Sequence, residues 1–145
     1  MAKVKFKERT ETNVIFVHCS ATKPTQDIGA RDIRIWHKSD NGWLDIGYHF
    51  VIRRNGVIED GRPVNVVGAH AYGYNGDSVA VCLVGGINAQ GQADANFTCE
   101  QYEALKVLLK TLKASYPKAE VKGHCDVSDK ACPSFDVHSF IENHL

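Results

Sequence analysis

Two short runs constrain this chain most, because they are apolar at nearly every position: Asn13-Val14-Ile15-Phe16-Val17-His18 and Ser78-Val79-Ala80-Val81-Cys82-Leu83-Val84. A strand with one wet face alternates apolar and polar residues, so a continuous β-branched run must be buried on both faces, and such sheets are covered by helices. Helical patterns do intervene. Ile28, Ile33 and Trp36 lie near helical spacing in a segment that Asp27 can cap and that Ser39-Asp40-Asn41-Gly42 ends. Thr98 and Gln101 form a capping-box pattern ahead of Tyr102, Leu105, Leu108, Leu109, Leu112 and Tyr116, a stripe that predicts a long helix lying on the sheet until Pro117 stops it. Residues 48–53 and 57–59 flank Asn55-Gly56, a strong hairpin signal. Glu120-Val121-Lys122 reads as a last short strand, and a loop over 123–133 precedes a C-terminal helix carrying Val137, Phe140 and Ile141. The expectation is an α/β fold in one domain over 1–145, a mixed central β-sheet flanked by helices. Strand order is not legible from these patterns.

Composition excludes several functions. Lys+Arg and Asp+Glu number 17 each, so no net field draws the chain onto nucleic acid or an anionic membrane, and a monomer with neither partner is expected. No apolar run approaches the ~18 residues of a membrane span, and the basic start Met1-Ala2-Lys3-Val4-Lys5-Phe6-Lys7 lacks a signal peptide's apolar region, so the product is expected to stay in the cytosol of the cell that makes it. The five cysteines, Cys19, Cys82, Cys99, Cys125 and Cys132, are an odd number, which turns attention from disulfides to metal or catalytic thiols.

Strand ends and the loops after them are where α/β folds place their sites. His18 ends the first core strand, His124 follows the last, and Cys132 lies eight residues further on. Two imidazoles and a thiolate would leave zinc one open tetrahedral position, the layout of a catalytic rather than a structural site. The spacing by itself is weak evidence, and ordinary buried or exposed His and Cys would show it too. Lys130 stands two residues before Cys132, where it could support a thiolate or an oxyanion or simply be a solvated lysine. Tyr48 and His49 begin a strand with side chains on opposite faces, so one of them must look away from any site.

Four segments, Val17-His18-Cys19-Ser20-Ala21-Thr22, Gly42-Trp43-Leu44-Asp45-Ile46-Gly47-Tyr48-His49-Phe50, Cys82-Leu83-Val84-Gly85-Gly86 and Lys130-Ala131-Cys132-Pro133-Ser134-Phe135-Asp136, resemble the zinc N-acetylmuramoyl-L-alanine amidase family in order and in spacing. The resemblance implies one Zn2+ per chain on His18, His124 and Cys132, with Tyr48 and Lys130 at the catalytic positions and His70 along the substrate groove. It implies a peptidoglycan substrate, cut between N-acetylmuramic acid and the L-alanine of the stem peptide, by an endolysin that reaches the wall from the host cytoplasm after the inner membrane is permeabilised. For the podophage branch of the family it also implies inhibition of the phage single-subunit RNA polymerase, for which Lys3, Lys5, Lys7 and Arg9 could supply a basic surface or else a charged, solvated edge strand. One departure is Cys125, which follows His124 where a second histidine can stand. Two rivals remain: a non-catalytic peptidoglycan-binding module, and a cysteine hydrolase using Cys132 with His124.

Overall fold

The computed structural model describes residues 6–145. The first apolar run forms β1 (Val14–Cys19), and the helical segment after it forms α1 (Ala30–Asp40). The hairpin is β2 (Phe50–Ile52) and β3 (Ile58–Asp60), paired antiparallel around a turn in which the Gly56 N–H donates to Arg53 O at 2.8 Å. The second apolar run is β4 (Ser78–Leu83), the long stripe is α2 (Cys99–Ser115), and β5 (Glu120–Gly123) and α3 (Val137–His144) complete the chain. They build one five-stranded sheet in the order β3-β2-β4-β1-β5, parallel except for β3 at its edge. The sheet is therefore mixed, as the strand patterns require. Among the described residues no helix is long and apolar enough to cross a membrane.

Parity along the strands sorts side chains into two layers. Ile15, Val17 and Cys19 of β1 and Val79, Val81 and Leu83 of β4 face the larger core, where Leu105, Leu108, Leu109 and Leu112 of α2 and Val137 and Phe140 of α3 cover them. The opposite face packs Val51 and Cys82 against Ala30 and Ile33 of α1. The Thr98 hydroxyl accepts the Gln101 N–H at 3.1 Å, and the Gln101 side chain in return accepts the Thr98 N–H at 3.0 Å, so the expected capping box forms.

Three local expectations are corrected. The cap of α1 is Gly29 rather than Asp27: the Asp32 carboxylate accepts the Gly29 N–H at 3.0 Å, and Glu59 from the hairpin accepts the Ala30 N–H at 2.9 Å. A Cβ at residue 29 would overlap Glu59 Oε1, so glycine is what admits that carboxylate, while Asp27 pairs instead with Arg53. The strand predicted from Tyr48 begins at Phe50. Lys3 and Lys5 lie outside the described residues, and the segment after them forms only an isolated bridge, Glu8 to Val66. Arg9 turns inward there, donating to Thr12, Val66 O and the Tyr116 hydroxyl and stacking on the Tyr116 ring.

Candidate active site

His18 is the penultimate residue of β1, and its parity sends it to the face away from α2, where it is 1% exposed. β5 runs parallel to β1 with Gly123 opposite Val17, so His124, the next residue, arrives beside His18 with ring centroids 4.6 Å apart. The loop that follows is folded back by its own hydrogen bonds. The Cys125 N–H donates to Cys132 O at 2.7 Å, the Ser128 hydroxyl to His124 O at 3.2 Å, and the Ser134 hydroxyl to Gly86 O at 2.9 Å. Gly86 has φ +102, and a Cβ there would overlap Cys19 Sγ, so this close passage of loop and strand end requires glycine. The Cys19 N–H then donates to Cys132 Sγ at 3.1 Å, which seats the thiol against β1.

One ligand atom from each of His18, His124 and Cys132 falls within 4.8 Å of the other two, and His18 Nδ1 lies 3.7 Å from Cys132 Sγ. Tetrahedral zinc bonds to nitrogen and sulfur put two such ligands about 3.6 Å apart. The donor set and its spacing therefore fit zinc, which His18, His124 and Cys132 would hold.

All six residues singled out from the sequence line that pocket of about 280 Å3: His18, His124, Cys132, Tyr48, Lys130 and His70. Its outer wall, Trp43, Ala69, His70, His124 and Lys130, is shared with a trough of about 540 Å3 that continues past Tyr72, Asn75 and Val127. Tyr48 stacks 5.2 Å from the His18 ring, whereas His49 turns to the opposite side, so it is His49 that looks away. Lys130 is exposed at the mouth. His70 stands edge-on to His18, with its Nδ1 2.9 Å from His18 Nε2 and its Nε2 3.1 Å from the Ser78 hydroxyl.

Sequence reasoning missed His37 and Trp43. His37 lies one turn beyond Ile33 on the inward face of α1, accepts the Gly47 N–H on Nδ1 at 2.9 Å, and sits between the Trp43 and Tyr48 rings in the pocket wall. The four-residue step from Ile33 to His37 was the available signal.

Electrostatics keep the two imidazoles neutral. Burial, and after it the neighbouring His70, His124 and Lys130, hold His18 well below the usual imidazole range, and burial followed by Lys130 lowers His124. Burial, and after it the adjacent thiols, push the Tyr48 phenol well above its ordinary value, so it stays protonated and keeps a hydrogen to donate. The hydrogen bond with the Cys19 thiol and burial raise the Cys132 thiol, which makes a bound cation the natural means of holding it as thiolate.

The N-acetylmuramoyl-L-alanine amidase family matches residues 8–135. The endolysin of Escherichia phage T7 is 56% identical over 142 residues, covering 98% of this chain and 93% of that one. Among solved structures, the endolysin N-acetylmuramoyl-L-alanine amidase LysCS from Clostridium intestinale superposes with a TM-score of 0.82 at 30% identity over 97% of this chain and 88% of that one. A mutant of Drosophila PGRP-LB in complex with tracheal cytotoxin superposes with a TM-score of 0.73 at 27% identity over 89% and 79% of the two chains.

Proposed function

This chain belongs to the N-acetylmuramoyl-L-alanine amidase family, and from that premise we propose that its amidase chemistry runs on one zinc ion held by His18, His124 and Cys132. The observation that carries the reading is the convergence of three neutral or displaceable donors within 4.8 Å of one another at the C-terminal edge of the sheet, on the wall of a pocket that shares His124 with the open trough. Zinc bound there would act as a Lewis acid toward water and toward the carbonyl of the amide joining N-acetylmuramic acid to L-alanine.

The remaining work falls to the chain's own groups. The Tyr48 hydroxyl, kept protonated, donates a hydrogen bond to the reacting oxygen rather than removing a proton. Lys130 supplies positive charge beside the same pocket, which stabilises negative charge developing on that oxygen. Trp43 and His70 wall the trough where a glycan and its stem peptide would lie. A cysteine hydrolase is disfavoured because the Cys132 thiol is pushed up, by its hydrogen bond with the Cys19 thiol and by burial, rather than activated.

The kinship with phage endolysins supports release to the wall after the inner membrane is breached. Inhibition of the phage single-subunit RNA polymerase rests on the resemblance, and the surface assigned to it is smaller than expected, since Lys7 is exposed but Arg9 is tied to Val66 and Tyr116.

The test measures zinc per chain together with the fragments released from purified peptidoglycan. One zinc per chain, loss of activity with a chelator, recovery with zinc, and new L-alanine amino termini are expected. Full hydrolysis at substoichiometric zinc, or killing by thiol alkylation with indifference to chelators, would overturn the zinc reading. Wall binding without new amino termini would make the domain a binding module.

A further inference from the structure

We propose that Ser78 and His70 form a hydrogen-bond relay that fixes His18 in its Nε2–H tautomer and so presents the Nδ1 lone pair to the metal position. The proposal rests on the reading of His18 as a zinc ligand and adds two positioning residues to it. It follows from counting donors. The Ser78 hydroxyl has one proton, and it lies 2.7 Å from Tyr74 O, an atom that can only accept. The contact of 3.1 Å between Ser78 Oγ and His70 Nε2 must then be donated by the histidine. A neutral His70 protonated on Nε2 has a bare Nδ1, and the atom 2.9 Å from it is His18 Nε2, which must carry the hydrogen. That leaves His18 Nδ1 unprotonated, facing Cys132 Sγ at 3.7 Å.

The relay is braced at each step. Asn75 Oδ1 accepts the N–H groups of both His70 and Ala71, at 2.8 and 2.9 Å, and holds the loop that carries His70. Phe16 packs edge-on against His70 and Tyr74 at 5.9 and 5.8 Å, closing the relay from below. Ser78 opens β4 opposite Val14, on the strand adjacent to that of His18, and is fully buried. Metal-bound histidines depend on such partners for ring orientation and tautomer. The relay engages both ring nitrogens of His70, so His70 meets the trough with its ring carbons, and its expected role on the substrate becomes one of positioning His18.

The experiment uses full-length labelled protein. In the zinc-stripped wild type, long-range proton–nitrogen correlation spectra should show His18 protonated on Nε2 and bare on Nδ1, with His70 in the same tautomer. Zinc affinity, measured by competition with a chromophoric chelator, should fall about 10-fold in Ser78→Ala and 10- to 100-fold in His70→Phe. His70→Gln, whose amide oxygen can still accept from His18 Nε2, should recover most of that loss. A wild-type His18 protonated on Nδ1 overturns the proposal, as do folded variants whose zinc affinity stays within twofold of wild type. If a variant does not fold, the wild-type spectrum decides. If the wild type takes up no zinc, the zinc reading above falls, while the tautomer spectrum still upholds or removes the relay.

Discussion

Acid should destabilise this protein through His49, and the amount can be worked out from its surroundings. The imidazole is 1% exposed, lies 2.8 Å from Val66 O through Nε2, and accepts the Ala80 N–H on Nδ1 at 3.0 Å. Val66 O can only accept and the Ala80 N–H can only donate, so the ring fits as the neutral Nε2–H tautomer. A second proton on Nδ1 would set two donors against each other. Burial, reinforced by Arg9 and Arg62 against the opposing pull of Val66 O, holds its pKa at about 4, from an ordinary value of 6.5. Above pH 6.5 the ring is neutral in both the folded and unfolded chain and its contribution is fully present. As pH falls from 6.5 toward 4, only the unfolded chain takes up the proton, so stability is lost across that window and levels off once the native ring protonates. Linkage gives a loss of about 2.5 kcal/mol between pH 7.5 and 4.5, out of a limit of about 3.4 kcal/mol. His18 and His70 shift in the same direction, so the measurement is a difference between wild type and His49→Gln, which keeps polar atoms but cannot titrate. Urea unfolding followed by tryptophan fluorescence at pH 7.5, 6.5, 5.5 and 4.5 should show the variant less stable at neutral pH and the gap narrowing by about 2.5 kcal/mol at the acid end. Parallel pH curves for the two proteins would refute the reasoning.

Cys132→Ser should lose tight zinc binding and hydrolysis together, whereas Cys82→Ser, fully buried in β4, should keep zinc and lose about 1–3 kcal/mol of stability; zinc content and urea midpoints distinguish them. Tyr48→Phe and Lys130→Ala should each lower kcat by ~100-fold or more with little change in KM, less than additively when combined, with zinc content unchanged. Near-normal rates in both would remove them from the mechanism. Arg62, 8% exposed, donates to the carbonyls of Ile46, Val67 and Asp45 and joins the Tyr48 segment to the His70 loop, so Arg62→Met should cost about 2–4 kcal/mol of stability, read as a lower urea midpoint, because three carbonyls lose a charged donor. An unchanged midpoint would mean that water replaces the guanidinium.

What could be read in the sequence was what repeats over a few residues. The apolar runs that became β1 and β4, the stripe from Leu105 to Leu112, the Thr98 capping box and the Asn55-Gly56 turn all express local periodicity or local backbone chemistry, and each formed where expected within a residue or two. The opposite faces taken by Tyr48 and His49 also follow from local geometry, although which of the two faced the pocket did not. The resemblance to the amidase family picked out the six residues that line one pocket. Tertiary structure decided everything that depends on two distant segments competing for one place. It inserted β4 between β2 and β1, let Glu59 from the hairpin displace Asp27 at the start of α1, and drew Arg9 away from solvent to Tyr116. It also brought His70 between Ser78 and His18, where both of its ring nitrogens have partners. The physical reason is range: a side chain's period and turn preference act over three or four neighbours along the chain, whereas a hydrogen-bond partner 52 residues away, as His70 is to His18, exists only after β1 and β4 have paired in register and brought the loop ahead of β4 against His18.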